Sequence, residues 1–141
     1  MKHCLEQKVY YSDTDAYAVT WHGAYLRWME AGRIEFCEKM GHTLVELQEQ
    51  DIVLPVSSIN IKYKAPAKLN DTVIVETEVK NFTPLYVTFE QRIIDKNTKK
   101  LYVEATVNVV AINNAGKLYR RMPKILLDIF EQAQERETLW D

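Results

Sequence analysis

Cysteine is scarce: Cys4 and Cys37 are the only two in 141 residues. They are too few for a disulfide framework and lack the paired spacing of a zinc site, so a reducing compartment is expected. Charge of one sign is scarce as well, because 18 Lys+Arg stand against 20 Asp+Glu for a formal net charge of -2. That balance supplies no excess positive field for a phosphate backbone and argues against nucleic acid as a partner. No segment approaches the roughly 20 apolar residues of a membrane helix, and the opening "MKHCLEQKVYYS" holds no apolar run of secretory type. A cytoplasmic protein without a membrane span is therefore expected. There is also no internal repeat, low-complexity stretch or linker, and 16.5 kDa suits one domain over residues 1–141.

What is present is strong periodicity. Leu5, Val9 and Tyr11 share one parity against Glu6, Lys8 and Tyr10, which predicts an opening strand. From Ala24 to Met40 the period becomes helical: Tyr25, Trp28, Met29, Gly32, Phe36 and Met40 form one stripe, with Arg27, Glu30, Glu35 and Glu38 largely opposite. Gly32 interrupts that stripe at a cost of roughly 1 kcal/mol relative to Ala, which implies close approach of the helix to a sheet. Gly41 suits a C-cap, and "HTLVELQEQ" suits a short helical turn.

Past Asp51 the pattern alternates, with apolar odd positions at Val73, Val75 and Val79, then Leu85, Val87, Phe89 and Ile93, then Leu101, Val103, Val107 and Val109. Short turn-rich links, "NFTP" and "DKNTKK", make these three strands antiparallel neighbours. In "IVLPVSSINIKYK" the apolar parity switches across Ser57 and Ser58, which predicts a bulge or bend there. The tail from Pro123 to Glu137 reads as a terminal helix. About five strands without crossover helices, a long helix and a terminal helix give an α+β domain, with the long helix on one concave sheet face.

Between the first strand and the long helix lies "SDTDAYAVTWHGAY", Ser12 to Tyr25. Asp13, Thr14 and Asp15 suit a chain reversal shaped by side chains bonded to nearby backbone. Asp-x-Asp also suits a divalent cation, although no third carboxylate follows at calcium-loop spacing. A third reading starts from the helix N-terminus, whose first N–H groups lack intrahelical partners and carry partial positive charge. His22 and Gly23 stand there, where a carbonyl oxygen would be polarised while the Asp15 carboxylate attacks its carbon or activates water. That is acyl-transfer chemistry, with His22 as a plain helix-start residue the alternative. Serine catalysis lacks a Gly-x-Ser-x-Gly elbow. Cys37 reads as a buried structural thiol, and His3 and His42 as surface residues.

The set Tyr11, Asp13, Thr14, Asp15, Val19, His22 and Tyr25, followed by Glu30, Ala31, Arg33 and Glu35, resembles the hotdog-fold acyl-CoA thioesterases of the 4-hydroxybenzoyl-CoA thioesterase and YbgC-like type. The order of strand, loop, long helix and antiparallel strands is similar across nearly the whole chain. The resemblance implies a hotdog fold, a long central helix wrapped by a curved antiparallel sheet of about five strands, and hydrolysis of an acyl-CoA thioester. It implies no metal and no bound cofactor, coenzyme A being part of the substrate. Asp15 is then the catalytic carboxylate, the backbone N–H of His22 beside Gly23 polarises the carbonyl, and the His22 side chain orients water or contacts the thiol sulfur. The thiol's pKa near ~8.5 lets it leave with little protonation.

The resemblance also implies active sites at a homodimer interface, with dimers pairing into tetramers, and either coenzyme A or acyl carrier protein as the thioester's carrier. Ser57, Ser58 and Ile59 would line the acyl pocket, with Tyr17 and Trp21 near its mouth. Lys62 and Lys64, or Arg120 and Arg121, would supply charge for nucleotide phosphates, since "NFTP" carries none. Ala18 stands where the family has glycine, which implies a locally different backbone. Two other functions fit the same residues: a module that binds acyl thioesters without cleaving them, and a hotdog 3-hydroxyacyl dehydratase or hydratase.

Overall fold

Alternation with period two builds most of this molecule. In the computed structural model, which describes residues 1–135, five antiparallel strands form one curved sheet. Strand β1 is Lys2–Lys8, β2 Val56–Tyr63, β3 Thr72–Phe82, β4 Val87–Asp95 and β5 Leu101–Val109. Their order is β1-β3-β4-β5-β2, which leaves β2 as a free edge. Helix α1, His22–Lys39, crosses the concave face; α2, Leu44–Glu49, follows it, and α3, Lys124–Glu135, closes the described chain. This is the hotdog arrangement, a long helix wrapped by a sheet. The terminal helix expected to reach Glu137 is described to Glu135, and Arg136 and Glu137 lie outside the described residues.

The apolar stripe of α1 is what the sheet buries. Tyr25, Trp28, Met29 and Phe36 are buried against Val73, Val75, Phe89, Val103 and Val107, the inward residues of β3, β4 and β5. The rings of Phe36 and Phe89 meet edge to face at 5.5 Å, and Phe130 of α3 reaches the same Phe89 at 6.0 Å. Gly32 does make the close approach its position implies: a Cβ built there would lie 2.7 Å from Thr77 Oγ1. The helix stops at Gly41, whose φ of +98° suits a residue without a Cβ.

Register follows the parity of the sequence. The pairing of β2 with β5 shifts between Val56 and Ser58, which is the bulge that the switch in apolar parity calls for. The inward position after Phe89 on β4 is Gln91, a fully buried amide; Nε2 donates to the Met29 carbonyl at 2.9 Å and to Thr77 Oγ1 at 2.8 Å, and Oε1 accepts from Arg33 Nη1 at 2.9 Å. One polar residue thus ties α1 to β3 and β4.

Some local expectations fail for tertiary reasons. His3 is buried, 6% exposed, with Nε2 3.0 Å from Glu35 Oε1, because its parity turns it under α1 and away from the surface. Tyr11 does not extend β1; the strand ends at Lys8, and Tyr11–Asp13 form a 3-10 turn with Tyr11 exposed. Leu85 lies exposed in the β3–β4 turn.

Candidate active site

The two aspartates of the loop, alike in sequence, have different surroundings. Asp13 is buried; its carboxylate accepts the Tyr10 N–H at 2.9 Å and pairs with Arg27 of α1. Its carbonyl accepts the Trp21 N–H at 3.0 Å, so the residue fastens both ends of the loop. Thr14 and Thr20 then pair as an isolated antiparallel bridge, and a reversal closes between them. The Asp15 N–H donates to the Val19 carbonyl at 2.9 Å and the Ala18 N–H to the Asp15 carbonyl at 3.0 Å. Ala18 adopts φ of +61°, the left-handed conformation that glycine favours. The backbone at Ala18 is therefore one a glycine would also take, and the side chain is accommodated by exposure.

Asp15 is exposed at this reversal. Its Oδ1 accepts the Tyr17 N–H at 2.8 Å, while Oδ2 makes no hydrogen bond within the described residues. Helix α1 begins at His22 after an extended Trp21 that gives no side-chain cap. The N–H groups of His22 and Gly23 have no partner among the described residues, so they keep the donor capacity of an uncapped helix start. Asp15, Thr20, His22, Tyr25, Tyr63 and Lys64 line one open depression of about 400 Å³. A carboxylate with a free oxygen thus shares a depression with a helix N-terminus.

Aromatic rings form the wall. His22 meets Trp21 at 5.7 Å and Tyr63 at 6.3 Å, and Tyr25 meets Tyr63 at 5.9 Å. The Tyr25 hydroxyl accepts the Ala67 N–H at 3.0 Å, and burial pushes its pKa above the ordinary value. At Gly23 the approaching group is the indole of Trp21, whose ring carbons lie 2.1 Å from where a Cβ would stand. Only glycine fits beneath that ring.

Of the residues singled out from sequence, Asp15, His22 and Lys64 come together, with Trp21 and Gly23 adjoining. Tyr17 is 86% exposed at the tip of the reversal, outside the lining of the depression. Ser57, Ser58 and Ile59 lie on the free edge strand, exposed, with Ser57 Oγ donating to the Asn108 carbonyl at 3.2 Å. Lys62 lies beside Glu90, Arg92 and Glu104 in a separate depression on the outer sheet face, while Lys64 sits 3.6 Å from Glu104. Arg120 and Arg121 are exposed after the last strand. Sequence reasoning missed Thr20 and Tyr63 as lining residues; Tyr63, five residues past the bulge, had no local signal of its meeting with the helix start.

A second, more apolar cavity of about 370 Å³ lies between α1, α2 and the start of β2, and shares no lining residue with the first. Among the described residues no group of three or more His, Cys, Asp or Glu side chains is placed to hold a metal ion. No described helix is long and apolar enough to cross a membrane.

The profile of the thioesterase-like superfamily matches residues 9–130. Acyl-CoA thioesterase YbgC of Haemophilus influenzae is 38% identical over 112 residues, 79% of this chain and 80% of that protein. Acyl-CoA thioester hydrolase YbgC of Escherichia coli O6:H1 is 32% identical over 126 residues, 89% of this chain and 92% of that one. The crystal structure of a DHNA-CoA thioesterase from Staphylococcus aureus superposes with a TM-score of 0.86 at 23% identity, covering 95% of this chain and 91% of that chain.

Proposed function

The chain belongs to the thioesterase-like superfamily, and from that premise we propose that it is a cytoplasmic acyl-CoA thioesterase acting through Asp15. The observation that carries this reading is the shared depression: a carboxylate with Oδ2 free stands with the uncapped start of α1 at His22 and Gly23.

A thioester carbonyl oxygen taken by the His22 and Gly23 N–H groups is polarised by two donors and by the positive end of α1. Oδ2 of Asp15 then adds to the carbonyl carbon, or removes a proton from a water that adds to it. The C–S bond breaks and the electron pair leaves on sulfur. Coenzyme A needs little help as a leaving group, because a thiol pKa near ~8.5 makes the thiolate accessible at neutral pH. In the first route this leaves a mixed anhydride on Asp15, which water cleaves to regenerate the carboxylate; in both routes a proton from that water goes to the thiolate, and the products are the free acid and the thiol. Trp21, whose indole covers Gly23, has to turn aside as the carbonyl enters. The His22 ring, between Trp21 and Tyr63, is placed to contact the sulfur or the attacking water. The chemistry as proposed uses a carboxylate and backbone amides, with coenzyme A as part of the substrate. Lys64 at the depression offers charge to the phosphates, whereas Lys62 faces the separate outer depression.

The functional unit of this reading is a homodimer, and dimers pair further into a tetramer. Edge strand β2 exposes Val56, Ile59 and Tyr63, and an unpaired apolar edge is stable when a second strand covers it. Two chains joined antiparallel along β2 would bring the start of one β2 beside the end of the other, and so place the Asp15 depression at the seam.

The test is thiol release from a panel of aromatic, short, medium and long acyl-CoAs, with Asp15→Asn beside the native chain. Release that falls roughly 10²- to 10⁴-fold in the variant supports the assignment. Binding without release would move the reading to a non-hydrolytic acyl-thioester module, and an absorbance change of an enoyl thioester without thiol release would move it to a dehydratase or hydratase.

A further inference from the structure

Arg33 presents a charge to the second cavity and makes no close ion pair among the described residues. The cavity is walled by Ile34, Leu44, Leu47, Val53, Val56 and Phe89, and Arg33 lines it from α1. The Arg33 guanidinium makes one hydrogen bond, to Gln91 Oε1 at 2.9 Å, and no ion pair within the described residues. A guanidinium carries five N–H donors, so most of its capacity is unused. Gln91 offers it a single acceptor atom, Oε1, because the amide nitrogen is a donor and is engaged with Met29 and Thr77. Partial burial pulls the Arg33 pKa below its ordinary value, and the Glu30 carboxylate opposes that shift. The remaining charged group of the cavity is Glu30, exposed one helical turn earlier, where solvent screens it.

Within one chain this cavity is too far along α1 to serve the helix start. Eleven helical residues separate His22 from Arg33, about 16 Å at 1.5 Å per residue. Across the β2 seam of the homodimer proposed above the distance would close. Val56 at the start of β2 lines the Arg33 cavity, and Tyr63 at its end lines the Asp15 depression. Antiparallel pairing about the middle of β2 sets Val56 of one chain beside the partner's Tyr63, so a thioester at one Asp15 sends its acyl tail into the other chain's cavity.

Resting on that thioesterase reading, we propose that Arg33 recognises the far end of the acyl group and that the preferred substrates are compact acyl thioesters bearing a distal carboxylate. A planar guanidinium is suited to a carboxylate bidentately, and the ligand would supply the close bidentate partner that Glu30, at the cavity's exposed rim, does not. Size agrees. A cavity of about 150 Å³ takes benzene, so 370 Å³ admits on the order of ten to fifteen non-hydrogen atoms. A long fatty chain exceeds that.

The experiment compares suberoyl-CoA with octanoyl-CoA, matched in chain length and differing in the distal carboxylate, on the native chain, Arg33→Met and Glu30→Gln. The native chain should favour suberoyl-CoA by roughly tenfold in kcat/KM; Arg33→Met should abolish that preference, mainly through KM, with octanoyl-CoA changed less. Glu30→Gln removes a screened negative charge, opposite in sign to Arg33 and like that of the ligand's carboxylate, without touching the Gln91 contact, and should leave the suberoyl preference in place or raise it slightly. A purely structural Arg33 would lower both substrates alike. Binding of octanoate against 1-octanol, matched in chain length and differing in the carboxylate, is read by calorimetry without turnover and should favour octanoate only while Arg33 is present. Equal handling of the two thioesters by the native chain, or a preference that neither variant alters, overturns the proposal while leaving hydrolysis intact. Absence of all thiol release with octanoate binding still dependent on Arg33 overturns the thioesterase reading and keeps this one.

Discussion

A Cβ at Gly32 would lie 2.7 Å from Thr77 Oγ1, and that oxygen is locked in turn by Gln91 Nε2 at 2.8 Å. The contact is therefore with a fixed group and not with a side chain that can swing away. Gly32→Ala gains about 1 kcal/mol of helix propensity but forces α1 off the sheet, which costs roughly 1–3 kcal/mol in a packed core. We expect a net loss of stability in urea titration with an unchanged m-value. Stabilisation by this substitution would show that the buried network yields.

Asp13 and Asp15 should separate cleanly by what they damage. Asp13→Asn breaks a buried carboxylate away from Arg27 and weakens the Tyr10 N–H bond, at a cost of about 2 kcal/mol. Asp15→Asn changes an exposed side chain, so its unfolding free energy should move by less than about 0.5 kcal/mol while thiol release collapses. Denaturation and turnover measured on both variants check the division. Equal loss of stability in the two would make the loop a structural turn throughout.

How far the sequence reaches is visible in this pair. The strands, α1 and the bulge at Ser57 are legible because each is written in the spacing of neighbouring residues, where period and parity act. The roles of the aspartates are not written locally: Asp13 is buried because Arg27 arrives from a helix fourteen positions on. Gln91 follows the inward parity of β4, yet its partners Met29, Thr77 and Arg33 come from other elements, and nothing adjacent announces them. His3 is hidden for the same reason, since the alternation fixes its face but not the helix that covers it. The motif at Ser12 to Tyr25 marked the depression at Asp15, whereas the cavity at Arg33 depends on three elements meeting.

Ala18 offers a gain. At φ of +61° an L-residue pays about 1–2 kcal/mol for the left-handed region, and glycine does not. Glycine loses part of that advantage, roughly 0.4–1 kcal/mol, through the greater freedom of the unfolded chain. Ala18→Gly should still raise Tm by roughly 2–4 °C in calorimetry, because the exposed methyl gives up little packing. A lower Tm would mean that the Ala18 side chain contributes contacts that exposure does not suggest.

The two thiols set an alkaline limit. Burial pushes Cys37 from 9.0 up to about 11, and burial, with the Glu76 carboxylate beside it, pushes Cys4 to about 12. Below pH 9 the folded and unfolded chains hold these protons equally. Above it the unfolded chain releases them while the folded chain keeps them, so stability falls as pH rises from 9 towards 11, at a slope of up to about 1.4 kcal/mol per pH unit for buried Cys37 and less for the half-buried Cys4, which water screens. Burial of Tyr25 and Tyr102, whose hydroxyls also shift upward, acts in the same direction. Urea midpoints at pH 8 and pH 10 read the effect, and Cys37→Ala should flatten it. The same shifts leave both thiols protonated at pH 8, where a thiolate is the reactive form. The native chain should then label slowly with an aromatic disulfide and quickly once unfolded, leaving the thiol-release assay free of background from the enzyme. Rapid labelling of the native chain would place a thiolate in the fold and remove both expectations together.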